Sequence, residues 1–267
     1  MDGVRVAFRF RQRVPFHGNS QLAYFPVTFS VVFRLDFMRR PCFRSSLLFC
    51  SGLLLAAGSA QSAPPSSKLR LDAPAALEVV NGRTEITTYR GRKAVHLLPQ
   101  PGHETGDGAM LAILKGTDFR DGAIDVDVAG APRPGAEPGM KGFIGIAFRV
   151  QPQGSALELI YLRPSNGRAP DQLTRNHSVQ YVSDPDFGWE RLRKETPGMY
   201  ESYVDLEPGA WTKIRVEVSG KTARLYVNGA PQPCLIVNDL KRGESHGPIA
   251  LWAHETTAAY FSNLTIH

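Results

Sequence analysis

Beyond residue 63 the chain has a single cysteine, Cys234, and no helical periodicity. One thiol rules out an intrachain disulfide in that part, so stability has to come from an apolar core. Without a 3.6-residue repeat of apolar positions, a helical bundle is excluded as well. Metal-ligand spacing is also missing. His246 and His254 stand on either side of a Gly-Pro pair, and His96, His103 and His177 are scattered, so no metal and no cofactor is expected. Cys234, between Pro233 and Leu235 in an apolar run, reads as buried and inert.

Charge of one sign is scarce over most of the chain. The formal net charge of +6 comes from the first 63 residues, which carry eight arginines (Arg5, Arg9, Arg11, Arg13, Arg34, Arg39, Arg40 and Arg44) against Asp2 and Asp36, while the remainder is formally neutral. A nucleic-acid partner loses its main support, because phosphate binding needs a concentrated basic surface.

The same front segment holds nine of the fourteen phenylalanines and neither lysine nor glutamate. From Met38, the run MRRPCFRSSLLFCSGLLLAAGSAQSAPP has a basic start, an apolar stretch from Leu47 to Ala57 and small residues around Ala60. That is the pattern of a secretory signal peptide over residues 38–63, too short to span a bilayer. Cleavage after Ala60 places Gly58 at the −3 position. Residues 1–37 are read as a mis-assigned start or an unusually long leader, and 64–68 as a tether. The expected location is periplasmic or extracellular, with no membrane span once the signal is removed.

Residues 69–267 read as one all-β domain. About fourteen short alternating runs, among them LEVVN, KAVHLLP, GAIDVDVAG, GFIGIAFRVQ, SALELIYLR, WTKIRVEVS, TARLYVN, PIALWAH and YFSNLTI, are separated by Gly, Pro, Asn and Asp. This pattern predicts a two-sheet antiparallel jelly-roll β-sandwich. Ser219-Gly220-Lys221 marks a hairpin and Asn228-Gly229 a turn. In the hairpin the core face is expected to be Ile214, Val216 and Val218 on one strand and Ala223, Leu225 and Val227 on the other.

The ordered series FRDGAIDVDV, GFIGIAFR, WTKIRVEVSGKTARLYVNG, GPIALWAH and YFSNLTI resembles the concanavalin A-like lectin/glucanase superfamily. Within it, the series is most similar to laminin G-like domains and to the bacterial 3-keto-disaccharide hydrolase domain family. The resemblance implies a ligand on the concave sheet.

Three segments have the residues for such a role. In GFIGIAFRVQ, Gly145, Ala147 and Arg149 alternate with the core positions, which predicts either room above the sheet beside an arginine or close packing against a covering loop. In RNHSVQYVS, alternation sets Asn176, Ser178 and Gln180 against His177, Val179 and Tyr181; amides and hydroxyls both donate and accept, as sugar hydroxyls require. The segment SDPDFGWERLRKETPGMY carries Trp189, Arg191, Arg193 and Lys194, with Tyr200 and Tyr203 beside it. Aromatic planes stack on sugar rings and arginines bind hydroxyls or carboxylates; the alternative is that Trp189 plugs the rim of the sandwich and the charges are solvated. Arg163, Asn166, Arg175 and His177 complete the expected contact set, on a connection long enough to be functional.

Catalysis has thinner support. The nearest paired carboxylates, Asp125 and Asp127, lack the glutamates that flank the bond in retaining glucanases, and they are expected either to face Arg149 on a neighbouring strand or to be solvated. The 3-keto-disaccharide hydrolase resemblance implies a different route, in which a C3 ketone acidifies the C2 proton and permits elimination. His177, Glu190 or Asp171 would serve as base and Arg163 or Arg175 as electrophile. The sequence therefore leaves open a carbohydrate-binding module, a glycoside hydrolase or lyase, and a laminin G-like protein-binding module; oligomeric state is not legible.

Overall fold

The computed structural model describes residues 67–68, 71, 76–102 and 108–267. The expected leader and signal segment lie outside these residues, as does most of the tether. Strands are numbered in chain order. One antiparallel sheet runs β13 (Leu235–Val237), β12 (Thr222–Val227), β11 (Thr212–Ser219), β6 (Gly122–Pro132), β15 (Thr257–Ile266), β4 (Arg92–Leu98) and β3 (Arg83–Tyr89). The tether's last two residues, Ser67–Lys68, form β1 and pair with β15 as the eighth strand. The second sheet runs β10 (Glu201–Ser202), β9 (Val179–Asp184), β8 (Leu157–Leu162), β7 (Ile144–Phe148), β14 (Ala250–His254), β5 (Ala109–Leu114) and β2 (Leu77–Val80). This is the two-sheet sandwich that the alternating runs predict.

The core follows the period of two. Ile214, Val216, Val218, Ala223, Leu225 and Val227 are all buried, while Lys213 points to solvent. The hairpin between β11 and β12 closes with Ser219 paired to Thr222, and Gly220 takes the positive φ (55°) that the tight loop needs. Ile144 of β7 packs onto β6 of the other sheet, where Gly130 leaves room: a Cβ there would lie 2.6 Å from Ile144 Cγ2. The parity of Ile144, Ile146 and Phe148 therefore faces the sandwich interior, and Gly145 and Ala147 face away.

Two connections depart from the all-strand reading. The 163–178 segment holds a 3-10 turn (Pro164–Asn166) and helix α1 (Gln172–Asn176); the 185–200 segment holds helix α2 (Trp189–Glu195). Helices of five and seven residues are too short to print an apolar period, and only Leu192 of α2 is buried, so nothing local announced them. As a consequence β9 starts at Val179, and Asn176 belongs to α1 rather than to the stripe of Ser178 and Gln180. No helix among the described residues is long and apolar enough to cross a membrane.

Candidate functional site

On the face of the seven-stranded sheet that points away from the other sheet, register lines up one transverse row. Leu111 pairs with Trp252, Trp252 with Gly145, Gly145 with Tyr161, Tyr161 with Gln180, and Gln180 with Glu201. The space expected above Gly145 is taken by Tyr161. A Cβ on Gly145 would sit 2.2 Å from the Ile160 carbonyl oxygen and 2.7 Å from Tyr161 Cβ, so the glycine is there for the tyrosine's close approach.

Arg163, one residue beyond β8, is 5% exposed and gathers the polar end of the row. Its Nη2 donates to Tyr161 Oη (2.7 Å) and Gln180 Oε1 (2.5 Å), and its Nη1 to His177 O (3.2 Å) and Glu201 Oε1 (3.3 Å). Glu201 also accepts from Arg193, through Nε at 3.1 Å and a close contact from Nη2. His177 Nδ1 lies 2.9 Å from Glu201 Oε2. Arg193 in turn stacks its guanidinium 4.8 Å over the Trp189 ring, which is 43% exposed. Arg163, Gln180, His177, Arg193 and Trp189, from three different segments, thus meet around Glu201.

The electrostatics of this cluster are coupled. Burial pushes the His177 pKa below its ordinary value; Glu201 opposes that shift, and Arg193 and Arg163 reinforce it. His177 is consequently a neutral imidazole at neutral pH. Burial alone would raise Glu201, but the hydrogen bond and charge of Arg193, helped by His177 and Arg163, hold it below the usual carboxylate range. Tyr161 is pushed up to about 12 by burial, so its hydroxyl keeps its proton. Four buried polar atoms in and beside the row have no hydrogen-bond partner among the described residues: Gln180 Nε2, Trp252 Nε1, Asn166 Oδ1 and His177 Nδ1, the last lying near Glu201 without hydrogen-bond geometry. Asn166 is held there by its Nδ2, which donates to His177 O (3.0 Å). Each buried polar atom left unpaired carries a desolvation cost that a hydrogen-bonding partner would relieve.

Other expected site residues have different positions. Arg149 does not stand in open space on the outer face: it follows β7 with φ 53°, is fully buried, and donates to the carbonyls of Arg120, Gly243 and Gly220, tying loops together. Tyr181 faces the interior, where its hydroxyl donates to Glu158 Oε2 (2.6 Å), and Tyr200 packs beside it with its hydroxyl on Asp239 Oδ2 (2.7 Å). Asp171 caps α1 by accepting from Thr174 N (2.7 Å). Arg175 is engaged with Tyr203, 2.6 Å from its hydroxyl, and exposed Asn176 accepts from Gln172. Arg191 bonds Glu195 and the Asp186 carbonyl, and Glu190 is exposed on α2. Asp125 and Asp127 lie on the other sheet and pair with Arg215 and Arg92, not with Arg149. Cys234 is half-buried, its thiol pushed up to about 11 by burial.

Sequence reasoning passed over three members of the row. Tyr161 had a local signal, since it precedes Arg163 by two and so shares its face. Trp252 and Glu201 had none, because only strand order across the sheet brings them to Tyr161 and Gln180. No group of three or more His, Cys, Asp and Glu side chains with metal-binding geometry occurs among the described residues.

Residues 73–267 match the profile of the 3-keto-alpha-glucoside-1,2-lyase-like domain family. No curated protein matches the chain. Among solved structures, a carbohydrate binding module from Bacillus subtilis is similar at 14% identity, covering 72% of this chain and 96% of that chain, with a TM-score of 0.49. A protein with a galectin-like fold, also from Bacillus subtilis, is similar at 11% identity, with coverage of 72% and 88% and a TM-score of 0.46. Domain 4 of an extracellular arabinanase from Geobacillus stearothermophilus, in complex with arabinotriose, is similar at 13% identity, with coverage of 71% and 81% and a TM-score of 0.40.

Proposed function

Because the chain belongs to the 3-keto-alpha-glucoside-1,2-lyase-like domain family, we propose that it binds a glycoside already oxidised at C3 on the outer face of the seven-stranded sheet and eliminates the C1 substituent, with His177 as the base. The observation that carries this reading is the pair of His177 and Glu201, 2.9 Å apart beside two arginines. Glu201 faces the Nδ1 side of the imidazole at 2.9 Å, and Nε2 is the assigned proton acceptor.

The chemistry balances without an added oxidant. His177 takes the proton from C2, whose acidity comes from the C3 ketone, and the electron pair passes into an enolate on the C3 oxygen. The enolate collapses, the C1–C2 double bond forms, and the C1–O bond breaks. The departing oxygen recovers the proton from the imidazolium, giving an alcohol and an unsaturated 2-hydroxy ketone. Tyr161, which stays protonated, and Arg193, the more exposed of the two arginines, supply hydrogen bonds to the developing negative charge. Gln180, Asn166 and Trp252 offer their unfilled polar atoms to sugar hydroxyls, and Trp189 a partly exposed ring.

Incubation with a methyl 3-keto-α-glucoside tests the proposal. Methanol should be released with appearance of an enone absorbance, and His177→Ala should lower turnover by about 10²-fold or more. Turnover unchanged in that variant removes His177 as the base. A binding-only reading is favoured by one observation: Arg163 is already spent on Tyr161, Gln180, His177 and Glu201. Saturable glycoside binding with no methanol released would select it. An exported location is part of the same proposal, supported by the signal-like residues 38–63 and checked by cell fractionation.

A further inference from the structure

A cavity of about 260 Å³ lies at the opposite end of β8 and β9 from Arg163 and is lined by Gln151, Ser183, Asp186, Phe187, Lys241, Arg242 and Ser245. Glu158 and Ser183, which adjoin it, are paired across β8 and β9, whereas Arg163 follows the far end of β8. Five residues of strand at about 3.3 Å each put the two regions roughly 16 Å apart.

The cavity's wall is built on buried charge. Glu158, fully buried, accepts from Arg242 N (2.8 Å) and from Tyr181 Oη (2.6 Å), and Tyr181 Oη accepts in turn from Lys241 N (2.8 Å). Arg149 Nη1 holds Gly243 O (2.6 Å), and Gln151 Nε2 holds His246 O (3.2 Å). The 241–246 segment is thus fixed at four points, residues 241, 242, 243 and 246, before any ligand arrives, which lowers the ordering cost that binding would otherwise carry.

What these staples present is unspent. Arg242 Nε and Ser245 Oγ are buried without a hydrogen-bond partner among the described residues. Lys241 is different: its ammonium already has Asp239 at 2.7 Å. A buried, unpaired Arg242 Nε beside a buried, unpaired Ser245 hydroxyl, on a cation that is otherwise partly exposed, is a mismatch that an oxyanion would correct. Asp186, exposed at the same cavity, carries the opposite sign, and solvent screens it more than the half-buried Arg242.

We infer that this cavity is a binding site for a small oxyanion, a phosphate, sulfate or carboxylate group, held by Arg242 and Ser245. Its volume fits one such group or a single sugar unit carrying it, and the site does not depend on the elimination chemistry at His177.

Calorimetric titration of the purified protein at low ionic strength with inorganic phosphate, sulfate and glucuronate tests the inference, with glucose as the uncharged control. At least one anion should bind saturably, and which one binds tightest separates a mineral anion from a sugar acid. Arg242→Gln and Ser245→Ala should each weaken that binding, the former by about tenfold or more. Asp186→Asn should tighten it by removing a like charge, and His177→Ala should leave it unchanged. Near-ultraviolet circular dichroism confirms that each variant is folded, and Ser245→Ala carries the test should Arg242→Gln not fold. The inference is overturned if no anion binds saturably in the millimolar range, if binding survives Arg242→Gln or Ser245→Ala in folded protein, if Asp186→Asn weakens it, or if glucose binds as tightly as the anions.

Discussion

At the scale of single residues, His177 and Glu201 set the pH behaviour expected of the proposed reaction. The acid limb of kcat/KM should have its midpoint below the ordinary histidine value of 6.5, because burial and two nearby arginines favour the neutral imidazole. Glu201 is the group that raises His177, so Glu201→Gln should move that limb to still lower pH, a shift read from the pH profile. Arg163 has a structural role as well. Replacing it with methionine leaves Gln180 Oε1 buried without its donor and Glu201 held by Arg193 alone, and should cost about 1–3 kcal/mol in urea denaturation, as for a buried acceptor left unfilled. Its importance was partly legible: an arginine ending an apolar strand ahead of a long polar connection stood out. That its partner would be Glu201, 38 residues later, was not legible.

At the scale of elements, the outer row depends on β7 and β8 lying close at one point. Gly145→Val would place side-chain atoms where the Ile160 carbonyl and Tyr161 now sit, so β8 must shift and carry Tyr161 and Arg163 with it. The expected result is loss of glycoside binding together with a lowered melting temperature. A variant with wild-type melting temperature and binding would show that the close approach has no functional weight. The glycine was visible in GFIGIAFRVQ, but alternation left open whether it made room or marked a close approach. A strand alternation tells which face a missing side chain is on; only the neighbouring strand tells what fills the gap. The same limit explains Tyr181, whose interior position opposite Gln180 follows from alternation, whereas its bond to Glu158 needed the β8–β9 register.

At the scale of the molecule, acid should destabilise the fold in two steps. His96 and His177 both have pKa values lowered in the folded state, mainly by burial, so the unfolded chain takes up protons first as pH falls through 6.5. Stability present above that value is lost down to the folded values. Glu201, also lowered, adds a further loss once pH falls below 4.5. Glu158, raised chiefly by burial, works in the other sense: its contribution is complete below 4.5 and is lost as pH rises through its folded value. Urea midpoints measured from pH 7 to pH 5 should therefore fall, and the double variant His96→Gln, His177→Gln should flatten the slope. An unchanged slope would mean that neither imidazole is held neutral by the fold.

By itself the sequence determined the class of architecture, the hairpin of β11 and β12 and its buried face. These follow from a period of two and from turn residues, which act over a few positions of chain. It also placed the polar side chains of the long connections between β8 and β10, though not the short helices within them, whose stability comes from docking rather than from a readable repeat. The tertiary structure alone decided which of those side chains meet. Gln180, Glu201, Trp252 and Tyr161 become neighbours because antiparallel register stacks distant segments across one sheet, and Arg149 is drawn away from that face because three loop carbonyls surround its guanidinium. Strand order is a property of the packed sheets, fixed by how all the apolar faces are buried together, and no single segment carries it.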